Sequence, residues 1–151
     1  VLDLINYMVL FNNRIIDSAK LDKDAIHAIV IEQLLKQKEI AQAFNINELI
    51  ETPLALKQKE MIGNGYLPAR CGEIQIILKP GYVEGDGNGT SHGLWNPYDS
   101  HIPLLWYGWG IKHGKTNRET YMTDIAATLA GMLHIQMPSG SIGHVVEEVI
   151  K

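Results

Sequence analysis

Ile102-Pro103-Leu104-Leu105-Trp106-Tyr107 is an unbroken apolar run. Such a run is the mark of a strand buried on both faces, and it points to a layered α/β arrangement. Gly108-Trp109-Gly110 ends it. Downstream, Thr123 suits a helix N-cap with Asp124 in the first turn. Ile125, Ala126, Leu129, Ala130, Leu133 and His134 then trace one helical face. Pro138, Gly140 and Gly143 mark a loop. Val145–Ile150 reads as a last strand, with Glu147 and Glu148 as the charged outer face of a sheet edge. Upstream, Glu73–Leu78 is rich in β-branched residues and closes at Lys79-Pro80-Gly81. A Gly-rich loop joins the two strands, so the second half reads strand, loop, strand, helix.

The first half is α+β in texture. Leu4–Phe11 is almost wholly apolar and reads as a buried strand, although periodicity alone does not separate it from a short helix. Asn12 and Asn13 suit a turn. Asp22 caps an expected helix over 22–36, in which Ala25, Ile26, Ile29, Val30 and Leu34 recur at three and four. Glu39–Phe44 reads as a short strand, Asn47–Glu51 as a turn of helix, and Leu54–Asn64 as a second helix closed by Gly63, Asn64 and Gly65. This order suits a small split β-α-β sandwich of ferredoxin-like type. The expected boundary divides 1–70, a small α+β subdomain, from 71–151.

Composition narrows the function. The 151 residues are 46% hydrophobic and 20% charged, a balance unlike that of a disordered chain. A net charge of −4 gives no basic surplus for nucleic acid. No apolar run reaches the roughly 18 residues of a membrane span. One cysteine, Cys71, allows neither an internal disulfide nor a thiolate metal cluster. The chain opens on Val1 with no charged segment and cleavage site, which suggests a piece of a longer protein.

The Gly-rich loop holds Gly81, Gly85, Gly87, Gly89 and Gly93. Its spacing fits neither a dinucleotide fingerprint nor a phosphate loop. Asp86-x-Asn88-x-Thr90 begins like a calcium loop, but Pro97 stands where that loop needs Glu. Asn88-Gly89-Thr90 is formally a glycosylation sequon. His92 is the sharper candidate. Small neighbours let a metal or phosphate approach, and a neutral imidazole is a good zinc ligand; the plainer reading is an ordinary loop histidine. Trp95, Trp106, Tyr107 and Trp109 either line a substrate entrance or pack. Cys71 reads as an inert half-buried thiol. His27 and His134 read as structural, His113 as part of a solvated turn with Lys112 and Lys115, and Arg70 as one half of a surface salt bridge.

Three blocks carry a resemblance. Gly89-Thr90-Ser91-His92-Gly93, then Tyr98-Asp99-Ser100-His101-Ile102-Pro103-Leu104-Leu105-Trp106-Tyr107-Gly108, then Thr123-Asp124-Ile125-Ala126-Ala127-Thr128-Leu129-Ala130 resemble, in order and spacing, the C-terminal end of the alkaline phosphatase superfamily. The match is to the bacterial branch with a threonine nucleophile, grouped with type I phosphodiesterase/nucleotide pyrophosphatases. Residues 1–70 resemble the smaller inserted subdomain of that branch. The resemblance implies the C-terminal part of an α/β sandwich and a parent that hydrolyses phosphate monoesters through a phospho-threonine intermediate. It implies two zinc ions in that parent, with His92 one metal ligand. Asp99 and His101 are the candidates for holding that imidazole from behind; the plainer reading is that Asp99 caps the turn and His101 packs at the strand start. No residue of 1–91 matches the nucleophile or the other ligands. The fragment alone is therefore expected to be inactive, and its partners are a small phosphate ester and the remainder of its own polypeptide. Export to the periplasm follows from the same resemblance. The alternatives are a phosphodiesterase or nucleotide pyrophosphatase of the same superfamily, or a non-catalytic α+β binding domain.

Overall fold

A computed structural model describes residues 1–83 and 92–150. Asp86, the Asn88 sequon, Thr90 and Ser91 lie outside the described residues. Two compact units are present, Val1–Ser100 and His101–Lys151.

The first unit is built on a four-stranded antiparallel sheet. In chain order come β1 (Asp3–Ile5), β2 (Met8–Leu10), α1 (Asn13–Ser18), α2 (Lys23–Leu35), β3 (Ile40–Asn45), α3 (Leu56–Gly65), β4 (Ile74–Leu78) and the short α4 (Pro97–Ser100). A 3-10 turn spans Ile46–Glu48. The sheet order is β1-β2-β4-β3. β4 is antiparallel to both β2 and β3, so β2 and β3 run the same way with β4 between them. That is the split β-α-β arrangement expected from the sequence. Ile74–Leu78, which the sequence boundary placed in the second part, is thus an inner strand of this first sheet, and the compact units divide after Ser100.

Packing explains why β4 is so apolar. Ile74 and Ile76 face a cluster with Val9, Phe11, Ile16 and Ala43, against which Ile26, Val30 and Leu34 of α2 lie. Ile77 faces the other way, into Met8, Phe44, Ile46, Leu49 and Ile62 of α3. The two helices therefore cover opposite faces of the sheet, and alternate residues of one strand serve two cores. Fully burying one such isoleucine is worth roughly 1.5–3 kcal/mol.

Leu4–Phe11 is a hairpin rather than one strand. Its turn residues Asn6 and Tyr7 have φ of +50° and +60°, the pairing of a tight turn with two left-handed residues. Asn favours that conformation and Tyr does not, so the sequence carried only half of the signal. Asp22 caps α2 as expected, its Oδ1 accepting from Ala25 N at 3.0 Å. Asn12 caps α1 by accepting from Ile15 N at 3.3 Å.

The second unit contains two helices among its described residues, α5 (Asp124–Leu133) and α6 (Glu147–Ile150). Two expectations are corrected here. Ile102–Tyr107 is not a strand, because no described residue pairs with it and a strand exists only through pairing. Val145–Ile150 is not a strand either. Val146 and Val149, three apart, are both buried, and the charged residues between them turn outward on a helix. Thr123 holds the N-cap position with Asp124 in the first turn, as expected, but the Thr123 side chain makes no cap bond; Asp124 Oδ2 instead accepts from Tyr121 N, ahead of the helix, at 2.9 Å.

Candidate functional site

His92 is exposed, directly before a backbone stretch held by one short helix. Asp99 of α4 accepts from Gly93 N at 2.8 Å and Leu94 N at 2.5 Å through a single oxygen, Oδ2. Tyr98, its neighbour, accepts from Gly81 N at 3.0 Å. Both sides of the Gly-rich stretch, Gly81 and Gly93, are therefore tied to one turn of helix. Gly93 sits at φ +113°, a conformation only glycine takes without strain. Leu94 is buried, and Trp95 packs against the core that holds Ile77. His92 thus directly precedes an anchored segment. Its accessible ring meets the first requirement of a metal ligand.

Asp99 acts on the backbone of this segment, and among the described residues no hydrogen bond joins it to the His92 ring. His101 is exposed and opens the second unit. Among the described residues no cluster of three histidine, cysteine, aspartate or glutamate side chains is placed to hold a metal. Among the described residues the donor set at this place is one accessible imidazole, which would fit one position of a zinc site. His92 lines neither of two concavities found in the first unit. One, of about 570 Å³, runs beside β3 between Leu35, Phe44 and Pro53. The other, of about 200 Å³, lies among Met8, Ile62, Tyr66, Arg70 and Trp95.

Sequence reading missed a polar network beneath α2. His27 is 5% exposed and packs against Phe11 with ring centroids 4.7 Å apart and the rings tilted by 41°. Asn45 Oδ1 accepts from Asn47 N at 3.0 Å, which turns its Nδ2 toward His27 Nδ1 at 3.1 Å. His27 Nε2 lies 3.2 Å from Glu73 Oε2, out of line for a hydrogen bond. Glu73 also binds Lys23 Nζ at 2.6 Å and Asn13 Nδ2 at 2.7 Å. Burial pushes its carboxyl pKa up, but Lys23, Asn13 and His27 outweigh burial and hold it below the usual 4.5. The partners lie far apart in the chain, so no local pattern announces them. The structural reading of His27 is the one this geometry supports.

Other expectations resolve plainly. Cys71 is half-buried and unpaired, its Sγ accepting from Leu67 N at 3.3 Å. Arg70 forms no ion pair among the described residues. Tyr107 and Trp109 are exposed rather than packed, whereas Trp106 is partly buried. No helix among the described residues is long and apolar enough to cross a membrane.

No protein-family profile matches the chain. The chain is similar to a stretch of proteins named alkaline phosphatases, with the same mixed α/β fold. In particular, it is 45% identical over 148 residues to alkaline phosphatase PhoV of Synechococcus elongatus, a match covering 98% of this chain and 27% of that protein. Against alkaline phosphatase PafA of Elizabethkingia meningoseptica it is 42% identical, covering 96% of this chain and 27% of the relative. A protein of Myroides odoratus named a calcium-transporting ATPase is 43% identical over 153 residues, 28% of its length. The crystal structure of wild-type PafA superposes with a TM-score of 0.93 over 99% of this chain and 29% of that one, at 41% identity. The chain thus spans just over a quarter of the length of the relatives it matches.

Proposed function

We propose that this chain is the His92-bearing C-terminal portion of an exported, zinc-dependent phosphatase that hydrolyses phosphate monoesters through a phospho-threonine intermediate. The reading is carried by the relationship to PhoV and PafA over nearly all of this chain. The names of the three relatives have one chemistry in common, cleavage of a bond between phosphorus and oxygen. Nucleophile, phosphate-holding cations and the remaining metal ligands come from outside these residues. Zinc at such a site supplies Lewis-acid stabilisation of charge developing on oxygen.

The chain's own part is to present an imidazole. His92 offers a ring nitrogen at the surface, and neutrality of the ring is the condition for ligation. Asp99 orients it through the backbone, by fixing Gly93 and Leu94, the residues that set where the His92 chain direction points.

A chimera tests this: PafA with its matching stretch replaced by this chain. It should hydrolyse p-nitrophenyl phosphate. His92→Ala in the chimera should lower the rate by about 100-fold or more and reduce zinc bound per chain. Full activity and full zinc content in the variant would remove His92 from the metal site.

A further inference from the structure

β4 leaves its sheet through a tight turn at Lys79-Pro80-Gly81-Tyr82. Tyr82 N donates to Lys79 O at 3.2 Å, and Gly81 sits at φ +87°. Proline at the second position and glycine with positive φ at the third mark a type II turn. The turn is rooted in the sheet, because Lys79 N donates to Glu39 O at 2.8 Å, just ahead of β3. The turn's own bond uses the N–H of its fourth residue. The N–H of its third, Gly81, needs an acceptor from elsewhere. Tyr98 Oη supplies it at 3.0 Å.

Tyr98 lies in α4, a single turn of four residues. A helix that short does not hold itself in place, so its position is set by what its side chains hold. Tyr98 is 66% exposed, so burial of its ring does little of this and the bond to Gly81 does more. The amides of Asp99 and Ser100 both donate to Asn96 O at 2.9 Å, which joins Tyr98 and Asp99 in one closed turn. Asp99 in its turn holds Gly93 and Leu94, the two residues after His92. A line of hydrogen bonds therefore runs from the sheet through Lys79, Gly81, Tyr98 and Asp99 to the backbone beside the imidazole. We infer that Tyr98 is a positioning residue for His92: by holding the Gly81 turn, its hydroxyl sets where α4 stands and, through Asp99, where the imidazole is presented. The inference rests on the proposed zinc role of His92 and adds a residue on which that role depends. Tyr98 itself touches neither metal nor substrate in this assignment.

Tyr98→Phe in the chimera described above is the test, since it removes the acceptor and keeps the ring. A neutral hydrogen bond changes an equilibrium by a factor of roughly 2 to 10. Zinc affinity, read by competition with a chelator, should fall by about that factor. Amide hydrogen exchange at Gly93 and Leu94 should speed up by a similar factor, because the held segment opens more often. On a His92→Ala background the same substitution should leave zinc affinity where it is, because two residues acting through one contact are not additive. A lower thermal midpoint with unchanged zinc affinity would make Tyr98 merely structural and overturn the inference. So would an equal loss of zinc affinity with and without His92. The two proposals fail separately. Full zinc content in His92→Ala alone removes the metal site and the role of Tyr98 with it. Reduced zinc in His92→Ala beside an unmoved Tyr98→Phe removes only the role of Tyr98.

Discussion

Asp124 is 3% exposed, and both of its oxygens accept from the backbone: Oδ2 from Tyr121 N and Oδ1 from His144 N, each at 2.9 Å. It joins the start of α5 to a residue far along the chain. Gly143 beside it is held so closely that a Cβ there would lie 2.0 Å from Thr123 O. Asp124→Ala would leave two amide groups without acceptors, at a cost of roughly 1–3 kcal/mol each, measurable by urea unfolding. Asp124→Asn keeps one good acceptor and should lose less. Thr123 and Asp124 read as the helix start and are its N-cap and first-turn residues. What the sequence did not carry is that Thr123 makes no side-chain cap bond and that Asp124 binds amides outside the helix, because only the folded backbone decides which N–H groups face which oxygen. His92 is similar. Its Gly-flanked setting marked it, whereas the bonds from Asp99 to Gly93 and Leu94 depended on α4 folding back over the segment.

At the scale of elements, α6 is joined to the segment before α5 by a bidentate ion pair. Arg118 Nε and Nη2 donate to Glu148 Oε1 and Oε2 at 2.9 and 2.8 Å. Those hydrogen bonds hold the Glu148 carboxyl at about 2, below its usual 4.5. A lowered carboxyl pKa means the pair contributes fully above pH 4.5 and fades as pH falls toward 2. A carboxyl titration by NMR should place the Glu148 midpoint near 2, and Arg118→Gln should move it up toward 4.5. An unmoved midpoint in the variant would show that Arg118 is not the cause. α2, α3, β3 and β4 were legible because their periodicity, caps and apolar runs agree with one another. The strand expected over Val145–Ile150 was not, because a six-residue stretch of valine and glutamate fits either period, and burial of Val146 and Val149 selects the helix.

At the scale of the whole molecule, the chain offers one exposed candidate imidazole and, among its described residues, no assembled metal cluster. The purified 151 residues with added zinc should therefore release no p-nitrophenol from p-nitrophenyl phosphate above the buffer rate. Turnover that His92→Ala abolishes would mean the site is complete within the chain. Composition, the caps and the alternation of apolar residues were enough to place helices and strands of the first unit, because those features act between residues near in sequence. The hairpin at Asn6-Tyr7, the two-faced burial of β4, the His27–Glu73 network and the unpaired state of Ile102–Tyr107 depended on which distant segments meet. Pairing and burial are properties of two surfaces, and one line of residues specifies only one of them.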